Sequence, residues 1–219
     1  MITHLFGQLA RMEPDGPTVD IDVQGVRYQV LVPLFLWPEL LELAHERDLD
    51  DPAQRPELAL HTTYHATTNV PVPVLVGFLR RPERDFFRKF TTVEGIGPAK
   101  AAKAMTVSVS TLARAIEQED RATLTKLPGI GARAADKIIA TLRGKVAAEA
   151  ALRDGAIDRP VDVAAMRQNT MVADSVAAVT GLGYSRAEAV RWVEEAIITQ
   201  PELATVEELT LAVLRARAR

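Results

Sequence analysis

The 219-residue chain contains no cysteine, which excludes disulfides, thiolate zinc sites, iron–sulfur clusters and cysteine nucleophiles. It also lacks a long apolar run: the longest, Val30 to Trp37, falls far short of the ~20 residues that a membrane span requires. The first residues show no basic head followed by an apolar stretch, so we expect no signal peptide and an intracellular protein without membrane contact. With 47% hydrophobic and 25% charged residues, the composition excludes a wholly disordered chain or a fibrous repeat.

The net charge of −3 hides a basic block in the middle of the chain. Residues 79–146 carry 14 lysines and arginines against 7 acidic residues, and all six lysines of the protein lie there. Residues 1–78 carry 4 basic against 11 acidic residues, and residues 147–219 carry 8 against 11. A basic centre between acidic flanks indicates either a module that faces a polyanion or a helical domain whose solvent-exposed face is rich in lysine and arginine.

Residues 1–78 are predicted to be rich in β-strands. Four segments combine β-branched residues with alternating polarity or lie between turn signals, as strands do. The strand candidates are Thr18–Val23, Val26–Val32, Leu58–Ala66 and Val72–Phe78. Short strands at this spacing predict a small barrel or sandwich, interrupted by a helix and a polar loop near residues 37–55.

The hydrophobic period becomes helical at Pro82, where a proline followed by an acidic residue is a favourable helix start. Residues 79–146 are predicted to form a helical, alanine-rich domain that is broken only at two glycine pairs. Residues 147–168 mix alanine, aspartate, glycine and proline, and we assign them to a linker that is partly helical at its start. Residues 169–219 contain two capping boxes and predict a bundle of three short helices.

An internal repeat is the most informative feature of the basic block. Glu94-Gly95-Ile96-Gly97-Pro98 recurs 34 residues later as Pro128-Gly129-Ile130-Gly131-Ala132, each between two helical stretches. The second glycine of each copy opens a helix, whose first N–H groups have no internal partner and attract anions. Two such hairpins predict a grip on a nucleic-acid backbone that contacts no base edges, and two tight turns with structural glycines are the alternative. The residues predicted to bind DNA are Gly95, Gly97, Lys100, Lys103, Gly129, Gly131, Arg133 and Lys137.

Known nucleotide-binding motifs do not fit these glycines. A Rossmann fingerprint requires a third glycine, where Lys100 and Ala134 stand, and no strand precedes either loop. A P-loop would need a glycine at Ile139, ahead of Gly144-Lys145. The sequence shows no nucleotide-hydrolysis site, and we expect no catalytic residue, metal or cofactor in this chain.

The tandem helix-hairpin-helix pair, placed after a β-rich domain and before a small helical tail, resembles the RuvA family of Holliday-junction branch-migration subunits. The resemblance covers nearly the whole chain. The start, Met1–Gly7, is similar to the family's first strand, and Gly77-Phe78 to its passage from barrel to hairpin domain. Leu127–Gly131 is similar to its second hairpin, and Leu182-Gly183-Tyr184 to the first turn of its C-terminal domain.

The resemblance implies a multidomain α+β fold. Residues 1–78 are then an OB-fold β-barrel, residues 79–146 an all-α tandem helix-hairpin-helix domain, and residues 169–219 a three-helix, UBA-like bundle. The resemblance also implies a homotetramer, able to pair as an octamer, that binds a four-way DNA junction in recombination and repair.

A hexameric ATPase partner of the RuvB type is implied as well. In such a complex, the partner binds ATP, contacts the C-terminal bundle and drives branch migration. This chain is then an accessory subunit without a catalytic site of its own, cytoplasmic and associated with the nucleoid. Which residues of 169–219 contact the partner cannot be derived from the sequence.

Two departures from the family pattern affect the predicted mechanism. In the family, a hairpin before the Gly-Phe passage carries two adjacent acidic residues, which form an acidic pin at the tetramer centre. The corresponding stretch here, Thr68–Val74, has no acidic residue. Its two prolines are also expected to disrupt a paired strand. Either the inserted loop supplies the central negative charge or the mechanism does without it. The acidic residues of that loop are Asp48, Asp50 and Asp51. The second departure is alanine, at Ala99 and Ala132, where the family usually has lysine.

Two other interpretations stay open. A non-specific helix-hairpin-helix module that binds duplex DNA would suit the missing acidic pin. A DNA glycosylase would use Leu127–Gly131 as its hairpin and Asp154 or Asp158 as its catalytic aspartate, but the β-rich N-terminus does not fit that class.

Overall fold

The computed structural model describes residues 2–13, 17–67, 70–152, 163–200, 203 and 205–217. The chain divides into two compact units, Met1–Val161 and Asp162–Arg219, called here the first and second units. The first unit combines a β-barrel with short helices, and the second is helical. Among the described helices, none has the length and apolar character needed to cross a membrane.

The N-terminal part of the first unit is a closed barrel of five strands in the order β1-β2-β3-β5-β4. β3 and β5 pair in parallel, and all other neighbours are antiparallel. The strands are β1 (His4–Met12), β2 (Thr18–Val23), β3 (Val26–Leu31), β4 (Glu57–Thr67) and β5 (Val70–Phe78). A five-stranded Greek-key barrel is the architecture of the OB-fold, so the predicted fold class is confirmed and the sandwich alternative is wrong.

Alternation along the strands builds the barrel core. On β2, Val19 and Ile21 are fully buried while Asp20 and Asp22 are partly exposed, as expected for a half-buried strand. Gly77 on β5 is tightly packed against the two neighbouring strands. A Cβ there would stand 2.7 Å from the side chain of Val30 on β3 and 2.9 Å from that of Leu60 on β4. The glycine of the predicted Gly-Phe passage is therefore required by close packing.

The two prolines of β5 do not break its pairing with β4. His65 pairs with Val74 and Thr67 pairs with Val70, so β5 advances four residues where β4 advances two. Pro71 and Pro73 fall within this irregularity. Proline has no N–H to donate to a regular ladder, so an irregular register suits these positions. The expected disruption is therefore local: the regular register is interrupted at the prolines, while β5 as a whole stays paired with β4. Residues 68 and 69, which belong to the stretch without acids, lie outside the described part of the chain.

Between β3 and β4, the chain forms a 3-10 turn (Leu34–Leu36), helix α1 (Trp37–Ala44) and a loop over residues 45–56. The buried guanidinium of Arg55 holds this loop by donating hydrogen bonds to the carbonyls of Leu49 at 2.6 Å and Asp50 at 3.3 Å.

This loop leads into Glu57, the first residue of β4, whereas the stretch without acids begins near Thr67, the last residue of that strand. Along the chain, the loop acids Asp48, Asp50 and Asp51 therefore lie at the opposite end of β4 from the stretch whose charge they were expected to replace.

Six helices complete the first unit. They are α2 (Arg81–Phe90), α3 (Pro98–Ala104), α4 (Val109–Glu117), α5 (Arg121–Thr125), α6 (Ala132–Leu142) and α7 (Ala147–Ala150). The expectation of breaks only at the glycine pairs is wrong, because further breaks precede α4 and α5. Ser108 caps α4 by accepting from the N–H of Thr111, and Asp120 caps α5 by accepting from that of Thr123. α7 occupies the start of the segment 147–168 that was assigned to a linker.

Helix α2 joins the barrel to the helices. Its apolar side chains Phe86, Phe87 and Phe90 are fully buried, and the ring of Phe87 lies 5.0 Å from that of Phe78 at the end of β5. The N–H of Phe35, in the 3-10 turn, donates to the carbonyl of Met105 after α3 at 2.9 Å. The barrel and the hairpin helices are thus packed together in the first unit.

The second unit consists of three helices, α8 (Val163–Gly181), α9 (Arg186–Thr199) and α10 (Val206–Arg217). Ser185 forms the predicted capping box with Glu188, and Thr205 caps α10 by accepting from the N–H of Glu208. The helices enclose a hydrophobic core, against which partly buried apolar side chains such as Trp192 and Leu203 pack. Its buried members among the described residues are Val179, Ala189, Val193, Leu209 and Val213. α8 begins six residues before the predicted boundary at residue 169.

Candidate nucleic-acid interface

The two glycine motifs form two hairpins of the same construction, one between α2 and α3 and the other between α5 and α6. In each, the N–H of the central isoleucine donates to a carbonyl three residues earlier: Ile96 to Val93 and Ile130 to Leu127, both at 3.0 Å. All four of these side chains are buried. The sequence repeat is therefore a structural repeat, held by the same apolar residues and the same hydrogen bond.

The two glycines of each hairpin have different roles. Gly95 and Gly129 take φ values of +82° and +74°, a region that side chains disfavour. Gly97 and Gly131 have extended backbone, with φ of −81° and −89°, and are the N-caps of α3 and α6. Nothing lies within 4 Å of a Cβ built on either of them. The first glycine is thus needed for the turn, whereas the second leaves an open approach to the backbone.

These N-caps leave early backbone amides of both helices available, from Ala132 in α6 and from Ala99 in α3, because Pro98 at the first position of α3 has no N–H. Neither Gly97 nor Gly131 provides a side-chain cap, so the early N–H groups of both helices have no side-chain acceptor at the cap. Amides at a helix start, together with the helix dipole, favour an anion such as phosphate. Six of the eight predicted residues, the four glycines with Lys100 and Arg133, lie at or within one turn of these two helix starts.

Lys100 connects the two hairpins. Its ammonium group lies 3.4 Å from the carbonyl oxygen of Gly95 in the first hairpin. Its Cε lies 3.8 Å from the Cβ position of Gly129 in the second. The hairpins therefore lie side by side with a cation between them, although their sequences are 34 residues apart.

The other predicted cations occupy helices α3 and α6. Arg133 is exposed in the first turn of α6, and Lys137 follows it at i+4, which places both on the same helix face. Lys103 is exposed in the last turn of α3. Within the described part of the chain, no hydrogen bond or ion pair joins Lys103 to either hairpin.

The sequence patterns did not single out Glu94 as a site residue. Its carboxylate Oε2 lies 2.8 Å from Nζ of Lys137, and this hydrogen bond and charge lower the pKa of the Glu94 carboxyl. An acidic side chain thus lies in the first hairpin and is paired with one of the predicted DNA ligands. Its position directly before Gly95 was visible in the sequence, but its partner is 43 residues away.

Among the described residues, no group of three or more histidine, aspartate or glutamate side chains could hold a metal ion. The proposed glycosylase aspartates, Asp154 and Asp158, lie outside the described residues. Phe86, Phe87 and Phe90 are part of the core and cannot stack on bases.

The two hairpins place this chain in the class of tandem helix-hairpin-helix proteins. In agreement, residues 87–143 match the family described as SAM-like helix-hairpin-helix tandem. Curated relatives match almost the whole chain and carry the name Holliday junction branch migration complex subunit RuvA. One from Desulfatibacillum aliphaticivorans is 37% identical, and one from Desulforapulum autotrophicum is 38% identical, each over 95% of both chains. One from Pasteurella multocida is 30% identical over 99% of both chains. The chain belongs to the RuvA family.

Proposed function

We propose that this protein binds four-way DNA junctions and serves as the non-catalytic subunit of a branch-migration complex in recombination and repair. The single observation that carries the proposal is the pair of equivalent hairpins, each with an uncapped helix start, in a chain that matches RuvA proteins from end to end. The family membership supports the junction as ligand, and the hairpins support the mode of binding.

The hairpins would bind the phosphate backbone and make no contact with base edges. The amides at the starts of α3 and α6 donate to phosphate oxygens, and Gly97 and Gly131 allow the strand to approach the backbone closely. Lys100, Arg133 and the other predicted cations neutralise neighbouring phosphates. Such contacts depend on the path of the backbone, which suits recognition of a junction by its shape.

Assembly is part of the proposal. We infer a homotetramer, able to pair as an octamer, that presents its hairpins to the four arms of the junction. A hexameric RuvB-type ATPase binds ATP and supplies the driving force, with its contact on the second unit. This chain itself holds no cofactor in the proposal, and it acts in the cytoplasm at the nucleoid, where its DNA substrate is found.

The absence of acids in Thr68–Val74 makes junction preference the property to test. Labelled four-way junction bound to the full chain is challenged with unlabelled linear duplex of the same length at two salt concentrations. We expect duplex to compete poorly, and the salt dependence of the affinity to give the number of phosphates neutralised. Equal competition by duplex would instead support a general duplex-binding module, and absence of binding would contradict both.

A further inference from the structure

We propose that Glu94 competes with DNA phosphate for Lys137. Its carboxylate pairs with Lys137 in the free protein and gives this cation up when nucleic acid binds, which lowers the affinity of the first hairpin for DNA. This inference rests on the proposed function, since it concerns the same surface. It assigns a role in tuning affinity to a residue that would not itself stabilise the complex.

The position of Glu94 carries the first step. It directly precedes Gly95, in the loop that leads to the open start of α3, and its side chain is 86% exposed. Once Lys137 has left Glu94, a phosphate bound at that helix start faces a full negative charge on the neighbouring residue. At a separation of about 7 Å in water, this repulsion amounts to about a threefold loss of affinity for each contact.

The partner carries the second step. Lys137 lies one turn beyond Arg133 on α6, on the face that begins at the second helix start, and its ammonium group is 2.8 Å from the Glu94 carboxylate. Its charge is therefore neutralised locally in the free protein. A phosphate that takes Lys137 as a ligand must displace Glu94 from it.

The ion pair between Glu94 and Lys137 lies at the protein surface. Both side chains are at least half exposed, and an ion pair of this kind contributes little to folding stability. Its main effect is consequently expected on a ligand that competes for the same cation. The second hairpin has an uncharged residue, Pro128, at the position equivalent to Glu94, so the two hairpins differ in charge although their backbones are alike.

The test is a double-mutant cycle on junction affinity with the full-length variants Glu94→Gln, Lys137→Gln and both together. We expect Glu94→Gln to bind the junction at least about threefold more tightly. Lys137→Gln should weaken binding only slightly in the wild-type background and more strongly in the Glu94→Gln background, where the lysine is free.

The matched control is Glu119→Gln, because Glu119 forms an ion pair with Arg143 at the far end of α6 in which both side chains are also at least half exposed. Glu119→Gln should leave junction affinity unchanged. That result would show that removing one acidic charge elsewhere on the surface does not by itself tighten DNA binding. Unchanged or weaker binding by Glu94→Gln, with an additive cycle, would overturn the inference and leave Glu94 as a structural tether. Failure of the wild-type chain to bind a junction would instead refute the proposed function, so the two failures are distinguishable.

Discussion

Nζ of Lys89 on α2 lies 2.6 Å from Oε1 of the buried Glu149 on α7. The same ammonium group donates to the carbonyl of Lys145 at 2.8 Å. The short helix α7, which the sequence pattern placed in a linker, is thereby tied to the hairpin domain and packs against α4. Because a buried carboxylate without a cationic partner is strongly unfavourable, we expect this ion pair to help hold α7 in place.

We expect Lys89→Ala to lower the free energy of unfolding of the first unit by about 1–3 kcal/mol. This is less than the loss for a fully buried pair, because the Lys89 side chain is 38% exposed. Urea denaturation of the full chain measures the change. Lys145→Ala is the control, since Lys145 contributes a backbone carbonyl that the substitution keeps, and its side chain is exposed. Equal losses in the two variants would show that the ion pair has no special weight.

The two glycines of the second hairpin should separate folding from binding. Gly129→Ala places a side chain at φ +74° and should reduce stability by about 1 kcal/mol. Gly131→Ala has an extended backbone and free space, so its stability should stay within about 0.5 kcal/mol of wild type. Its added methyl group lies where a phosphate would approach, and junction affinity should fall several-fold. Thermal unfolding and junction titration of both variants check this, and intact binding by Gly131→Ala would place the phosphate elsewhere.

Local patterns predicted much of this molecule. The hairpin turns, the strands and the capping boxes each depend on residues within a few positions of one another, such as Ser185 with Glu188. The missed starts of α4 and α5 had the same kind of signal, in Ser108 and Asp120, which a scan restricted to glycine breaks overlooked.

Contacts between distant segments were beyond such patterns. Glu94 meets Lys137, and Lys89 meets Glu149, only because helices pack in a particular arrangement, and amphipathic periodicity does not specify which neighbour a polar residue faces. The prolines of β5 show the converse. Their local preference against pairing was real, but the barrel accommodates them in a change of register.

The stability of the first unit should depend on the ionisation of Glu83. Burial raises the pKa of this carboxyl to about 7, although the N–H and guanidinium of Arg80 donate to it and partly oppose the shift. A raised pKa in the folded state means that the protonated form stabilises the fold. That contribution is complete below the unfolded value of 4.5 and is lost as the pH rises through about 7.

Glu83→Gln resembles the protonated form and can keep the capping contact with Arg80. Its unfolding free energy, relative to wild type, should increase by about 1–3 kcal/mol between pH 5 and pH 8. Denaturation curves at the two pH values provide the measurement, and a flat difference for Glu83→Gln would mean that the carboxyl stays ionised throughout.

The second unit should be dispensable for DNA binding and sensitive to its own small core. Leu209 is fully buried among four other apolar residues, and truncation of a buried leucine to alanine costs about 2–5 kcal/mol. Three helices with so small a core have little stability to lose, so Leu209→Ala should unfold this unit. Limited proteolysis should then cleave residues 163–217 rapidly while the first unit resists. Junction affinity of the full-length variant should match wild type, because every predicted DNA ligand lies between Gly95 and Lys137. Stimulation of a RuvB-type ATPase should be lost, and a fall in junction affinity instead would place part of the DNA interface in the second unit.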